Sequence, residues 1–316
     1  MQIVRRDRVW WCTAVMAMSC LLASGGCGGG GGGNASGKSI SQRIAEAQSK
    51  EPAQRARLLI GIAREQARAA DSSGAKQTLN QAFQACKDIE EVSSQADAYA
   101  RLAQAQAEVG QTAEARNTAQ LAMTAAEKID SAELHAKAIA SASRALSAAG
   151  AADNAVAALK KAETLAAKVD DATGRIQVLC EIAGAYEKAG KPEETDRVLS
   201  ETLNFAKGLP DEKSQAIGTA TVALEQAVNK RADAAKQSFA AALELARKAS
   251  DPSDEVTALI EIADRLFRAN DAKQANELLV EAEKKCAKVK APDLQTQLLD
   301  RARKMMNKPP RAIVGA

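Results

Sequence analysis

Along residues 54–293 apolar positions recur three or four apart, as one face of a helix requires, and the whole pattern returns forty residues later. Ala56, Ala96, Ala136, Ile176, Ala216 and Val256 form one apolar column. Ile62, Leu102, Ala142, Ile182, Val222 and Ile262 form a second, and Leu79, Ala119, Leu159, Leu199, Phe239 and Leu279 a third. Ile89, Ile129, Val169, Leu209, Ala249 and Val289 close the unit. Between them run small residues, such as Ala63, Ala75, Ala82 and Cys86 and the positions forty apart from each. The helical period breaks once per unit, near Gly110, Gly150 and Gly190. Each unit is therefore predicted to be helix A, a tight turn and helix B.

Six units follow, 54–93, 94–133, 134–173, 174–213, 214–253 and 254–293, with a half-unit at 294–307. Glycine suits the turn because a left-handed C-terminal cap costs it nothing sterically. Lys230 and Asn270 replace it in the last two units. Asn tolerates that conformation and Lys does so less well, so the fifth turn is expected to differ. Pro192, Thr112 and Asp271 signal starts of helix B, and Asp251-Pro252 and Ala291-Pro292 starts of helix A. One helix pair cannot bury its apolar face, whereas pairs stacked in register make a continuous core, which explains an undrifting spacing.

Composition agrees. Hydrophobic residues reach 46% with only 3% aromatics, because alanine carries much of the total. Such a sequence forms helices, and almost no β-branched run exists from which to build a sheet. The expected fold is all-α.

Unit four carries Leu179, Ile182, Ala183, Tyr186, Gly190, Thr195, Leu199 and Thr202. Large residues stand at the first, second and fourth of these, small ones at the third and sixth, then a large and a small residue after the turn glycine. In this the chain resembles the tetratricopeptide repeat family over residues 54 to 307. It departs in length, forty residues per unit instead of thirty-four, with the excess around the end of helix B and the inter-unit loop. The resemblance implies a right-handed α-solenoid of six 40-residue antiparallel helix pairs, with helix A lining a groove that binds a protein or peptide. A short helix near Ile40–Gln48, within 40–53, is expected to cap the first unit, and residues 308–316 to form a disordered tail.

The N-terminus reads as an export signal. Arg5, Arg6 and Arg8 precede an apolar stretch from Val9 to Ala23, then Ser24, Gly25, Gly26 and Cys27. Residues 1–27 resemble a bacterial lipoprotein signal, in which the cysteine after small residues takes lipid and becomes the mature N-terminus. Cys27 is preferred over Cys20 because a glycine-rich linker, residues 28–39, starts right after it. Plain signal cleavage and secretion is the alternative. Loss of the leader removes both tryptophans and takes the formal charge from +3 to about +1, since Arg5, Arg6, Arg8 and Asp7 leave together. So balanced a surface does not support nucleic-acid binding.

Gly32 to Ser39 satisfies G-x-x-x-x-G-K-[ST], the phosphate-loop pattern. A phosphate loop needs a strand before it and a helix opening at its Gly-Lys, so that N–H groups converge on phosphate. Here a leader and six glycines precede it, and a nucleotide-hydrolysing enzyme is disfavoured. Cys86 and Cys286 share one small core column, five units apart, and Cys180 falls in helix A of unit four, so all three are too far apart for disulfides. His135, the sole histidine, has no Cys or His at ligand spacing and is expected to face solvent. No cofactor, metal or small-molecule substrate is expected.

The register of the family places positions equivalent to 57, 61, 64 and 68 in the groove. Arg57, Arg64, Arg68, Arg101, Lys137 and Arg144 stand there in units one to three, diluted by Asp97 and Glu108. Arginine forks suit carboxylates, so this half of the groove is expected to favour an acidic peptide. In the last unit Glu261, Asp264, Phe267 and Arg268 are expected at the groove. Together these readings describe an exported, lipid-anchored scaffold of the cell envelope that binds a protein or peptide without catalysis. A structural subunit of an envelope assembly complex is the alternative.

Overall fold

A computed structural model describes residues 37–313 of the chain. The leader, Cys20, Cys27 and most of the glycine tract lie outside the described residues, as do 314–316. Among the described residues the fold consists of fourteen helices and no strand. Helix α1 (Ile40–Gln48) precedes six hairpins. These are α2 (Pro52–Arg68) with α3 (Ser72–Lys87), α4 (Val92–Glu108) with α5 (Thr112–Ala126), and α6 (Ala132–Ala148) with α7 (Ala152–Ala166). Then come α8 (Ala172–Lys188) with α9 (Pro192–Lys207), α10 (Glu212–Val228) with α11 (Ala232–Lys248), and α12 (Pro252–Arg268) with α13 (Ala272–Cys286). Helix α14 (Pro292–Asn307) closes the array.

The forty-residue period is kept to the residue. Every A helix opens at 52 or a multiple of forty beyond, and every B helix at 72 or a multiple beyond. The residue before each A helix is its cap. Glu91, Ser131, Asp171, Asp211 and Asp251 each accept a hydrogen bond from an N–H of the first turn. Pro52, Pro252 and Pro292 supply a first residue that has no N–H to satisfy. Asp271 caps α13 as expected, but Thr112 does not cap α5: it is the first helical residue, after Gln111.

All six A helices end alike. The residue at the turn is left-handed in each: Ala70 (φ 61°), Gly110 (81°), Gly150 (74°), Gly190 (70°), Lys230 (64°) and Asn270 (67°). The N–H of the following residue then reaches back five residues to a carbonyl, as in Gln111 to Gln106 and Arg231 to Gln226, both 2.8 Å. This is the Schellman closure. The fifth turn is thus not the exception its lysine suggested, because the closure and the packed helices hold Lys230 in the shared geometry.

Each A helix packs on its own B helix and on the A helices before and after it, while each B helix also meets the next A helix. No B helix packs broadly on another. The A helices therefore form one continuous layer and the B helices fan out behind it. Small columns allow this closeness: Ala63, Ala75, Ala82 and Cys86, and their equivalents in the other units, are all buried. The closing column is less uniform, since Leu209 of unit four and Ala249 of unit five are only partly covered. Buried apolar side chains form two main clusters that meet in α10, where Val222 joins the first while Ala216, Ala220 and Ala223 join the second.

Helix α1 lies against α2, with Ala47 buried and Arg43 paired to Glu65 at 2.5 Å. At the other end residues 308–313 are not helical, and the Ile313 N–H donates to the Arg268 carbonyl at 2.8 Å. Cys86, Cys180 and Cys286 are buried free thiols. Burial pushes the Cys86 thiol up to about 12, so it is protonated and unreactive. His135 is half-buried instead of facing solvent. It sits in the column where Gln95 and Gln215 donate to the Ile89 and Leu209 carbonyls of the preceding inter-unit segment and Gln295 to the carbonyl of Cys286, the last residue of α13. No described helix is long and apolar enough to cross a membrane.

Candidate functional site

The exposed face of the A-helix layer carries two abutting cavities. The first, about 470 Å³, lies across α4, α6 and α8, and Asp97, Arg101, Lys137, Ser141, Arg144 and Glu181 line it. The second, about 460 Å³, lies across α8, α10, α12 and α14, with Glu181, Thr221, Leu224, Glu225, Glu261 and Arg265 in its wall. Glu181 belongs to both, so they form one groove. A hollow of about 40 Å³ between α2 and α4, lined by Arg57, Asp97 and Arg101, extends it towards the first unit.

Four of the six basic residues expected at the groove come together there. Arg57 and Arg101 line the small hollow, and Arg101, Lys137 and Arg144 the first cavity. Arg64 and Arg68 line neither. Arg64 instead spans α2 and α4, its Nε donating to Glu108 Oε2 at 2.9 Å and its Nη2 to Oε1 at 3.1 Å. Arg68 is exposed in the last turn of α2. Within the cavity Arg101 holds Asp97 at 2.6 Å and Lys137 holds Glu133 at 2.6 Å, both one helical turn apart. Among the described residues Arg144 makes no ion pair; its Nη2 donates to the Glu181 backbone carbonyl at 2.9 Å.

In the second cavity most charges close on one another. Arg265 holds Glu261 at 2.6 Å and donates to Thr221 Oγ1 at 2.9 Å, Arg301 of α14 also holds Glu261, and Arg268 holds Asp264 at 2.8 Å. Burial pushes the Glu261 carboxyl up, but the Arg301 and Arg265 guanidiniums outweigh it and hold the group below its ordinary value. Glu181 and Glu225 have no such cation. Burial raises both carboxyls above the ordinary value, opposed at Glu181 by the pull of Arg144 and Lys137 and at Glu225 by the Asn229 hydrogen bond and the pull of Arg144. Glu225 accepts one hydrogen bond, from Asn229 Nδ2 at 3.0 Å, and lies over Gly184, where a Cβ would stand 2.6 Å from its Oε1.

Glu181, Glu225, Arg265 and Arg301 are groove residues that the sequence reading missed. Glu181 and Arg301 occupy the position equivalent to 61 and needed only the same register carried into later units. Glu225 and Arg265 occupy the position equivalent to 65, which is alanine in units two to four, and departure from alanine was the available signal. Phe267, by contrast, is 4% exposed and belongs to the core, while Glu261, Asp264 and Arg268 do reach the groove.

The Gly37-Lys38-Ser39 segment is followed by a helix, α1, and the residues before it, where the phosphate-loop pattern requires a strand, lie outside the described residues. Among the described residues no group of His, Cys, Asp and Glu is placed to hold a metal ion.

Fold and groove define the class: an all-α solenoid of stacked helical hairpins with an open, charged inner layer. Among solved structures the chain is similar to Ton1535 from Thermococcus onnurineus NA1, at 15% identity over 83% of this chain and 94% of that one, with a TM-score of 0.41. It is similar to BtubC (BKLC) from P. vanneervenii, at 16% identity over 88% and 98%, TM-score 0.36. A third is a Rap protein complexed with Competence and Sporulation Factor, at 12% identity over 85% and 80%, TM-score 0.34. Likeness at this level carries no argument about the site. No family model and no curated protein matches the chain.

Proposed function

We propose that this protein is a non-catalytic scaffold that holds a segment of another polypeptide along its A-helix layer. One observation carries the reading: two cavities of about 470 and 460 Å³ share Glu181 and run as one groove across the A helices. Such length suits a chain segment better than a compact small molecule, and the wall is mostly polar and charged. Its basic first half, with Arg57, Arg101, Lys137 and Arg144, suits an acidic stretch of that segment.

The place of action belongs to the same proposal. Residues 1–27 read as an export signal ending at a lipidated Cys27, which would tether the scaffold to a membrane of the cell envelope. Mass spectrometry of the mature N-terminus tests this, and a chain that starts elsewhere without lipid overturns it.

A photo-crosslinking residue at Ser141, in the wall of the first cavity, tests the groove in living cells. One at Gln120, exposed on α5 behind the layer, is the control. We expect protein adducts from Ser141 and none from Gln120. No adduct at Ser141, or equal adducts at both, overturns the reading in favour of a spacer whose outer faces make the contacts.

A further inference from the structure

The charges of the groove differ in how far they are already satisfied. In the first cavity Arg101 and Lys137 hold carboxylates one turn away, in partly exposed pairs that contribute little and exchange readily. Arg144 holds no carboxylate at all and bonds a backbone carbonyl. The uncommitted charge there is positive. In the second cavity Arg265, Arg268 and Arg301 are all taken by Glu261 and Asp264. What remains is Glu181 and Glu225, which form no ion pair among the described residues, feel only the partial pull of Arg144, and are partly withdrawn from water, as their raised carboxyl pKa values reflect. The uncommitted charge there is negative. Beside it Leu224 offers an apolar wall on which the aliphatic stem of a long basic side chain can lie.

We propose that the groove takes a single extended polypeptide segment of two polarities: acidic residues over α4 and α6, and one Lys or Arg seated between α8 and α10 against Glu181 and Glu225. This rests on the groove reading above and specifies its occupant. The spacing follows from the fold. The two seats are two A-helix steps apart, each about 8–10 Å. That gives roughly 16–20 Å, which an extended chain spans in about five or six residues. The alternation also excludes partners: a purely acidic segment meets Glu181 and Glu225, and a purely basic one meets Arg144 and its neighbours, each at like-charge cost.

Three synthetic peptides and the full chain test this by fluorescence anisotropy. The first carries two glutamates, five neutral residues and a lysine. In the second glutamine replaces the lysine, and in the third glutamines replace the glutamates. We expect the first to bind at least about tenfold more tightly than either other, a gain equivalent to about 1.4 kcal/mol. In the double variant Glu181→Gln, Glu225→Gln its advantage over the second peptide should vanish; circular dichroism checks that the variant is folded. Stretching the spacer to ten residues should abolish the advantage. Equal binding of the first two peptides, or no loss in the double variant, overturns the two-polarity occupant. The groove itself then still stands if Arg144→Glu weakens the second peptide. Failure of every peptide to bind overturns both.

Discussion

Three of the six turns between helices A and B place a residue with a Cβ in the left-handed region: Ala70, Lys230 and Asn270. Asparagine sits there at small cost, but alanine and lysine bear the full steric penalty of about 1–2 kcal/mol. Glycine would relieve it and give back about 0.4–1 kcal/mol through the freer unfolded chain. Ala70→Gly and Lys230→Gly are therefore each expected to stabilise the fold by about 0.5–1 kcal/mol. Gly110→Ala, at φ 81°, should destabilise it by a similar amount. Urea titration followed by circular dichroism reads both signs, and a neutral or destabilising Lys230→Gly would mean that the lysine side chain supplies a compensating contact. The turn glycines were legible in the sequence because three of them recur at forty residues. Ala70 was not, because nothing local marks an alanine as left-handed; only the packed hairpin and its Schellman closure put it there.

At the scale of helices, the period itself was the most legible feature, since each column of small or apolar residues maps onto one face of one helix. Less legible were the junctions. Unit five departs from the columns at several places at once, with Gly218, the Lys230 turn and a partly covered Ala249, and Leu209 at the end of unit four is also only partly covered. Gly218 lies in α10, where the two core clusters meet, and a Cβ there would stand 2.8 Å from Ile176 Cδ1 and 3.0 Å from Ala206 Cβ. Gly61 in α2 is also a helix-interior glycine, but nothing lies within 4 Å of where its Cβ would be. Both substitutions to alanine gain about 0.5–1 kcal/mol of helix propensity. Only Gly218→Ala also overpacks an interface, at about 1–3 kcal/mol. Gly61→Ala should raise the melting temperature by a few degrees. Gly218→Ala should lower it, with hydrogen exchange speeding most in α10–α13, because a repeat array loosens where its neighbour coupling is weakest. Parallel rises in both variants would show that the seam has slack.

For the molecule as a whole, the groove was half legible: the register placed Arg57, Arg101, Lys137 and Arg144 at it, but not the two carboxylates that divide it. Sequence gives position on a helix, whereas the state of Glu181 and Glu225 depends on neighbouring helices closing over them while Arg144 pulls on both without forming an ion pair. That closure has a thermodynamic sign. Burial raises both carboxyls above 4.5, so the folded state binds their protons more tightly than the unfolded state does. Folding stability contributed by these groups is then greatest at low pH and falls as pH rises from 4.5 through the raised folded values. At neutral pH each ionised carboxylate works against the fold, a liability expected where a site is held ready for a partner. Glu225→Gln keeps the size and can still accept from Asn229. Its stability should match the wild type near pH 3, well below the ordinary carboxyl value, where Glu225 is protonated in both states, and exceed it increasingly towards pH 7. Urea midpoints at the two pH values measure this. A variant that is no more stable at pH 7, or whose advantage does not change with pH, would show that Glu225 is compensated in the folded chain, and the seat for a basic side chain would lose its reason to be filled.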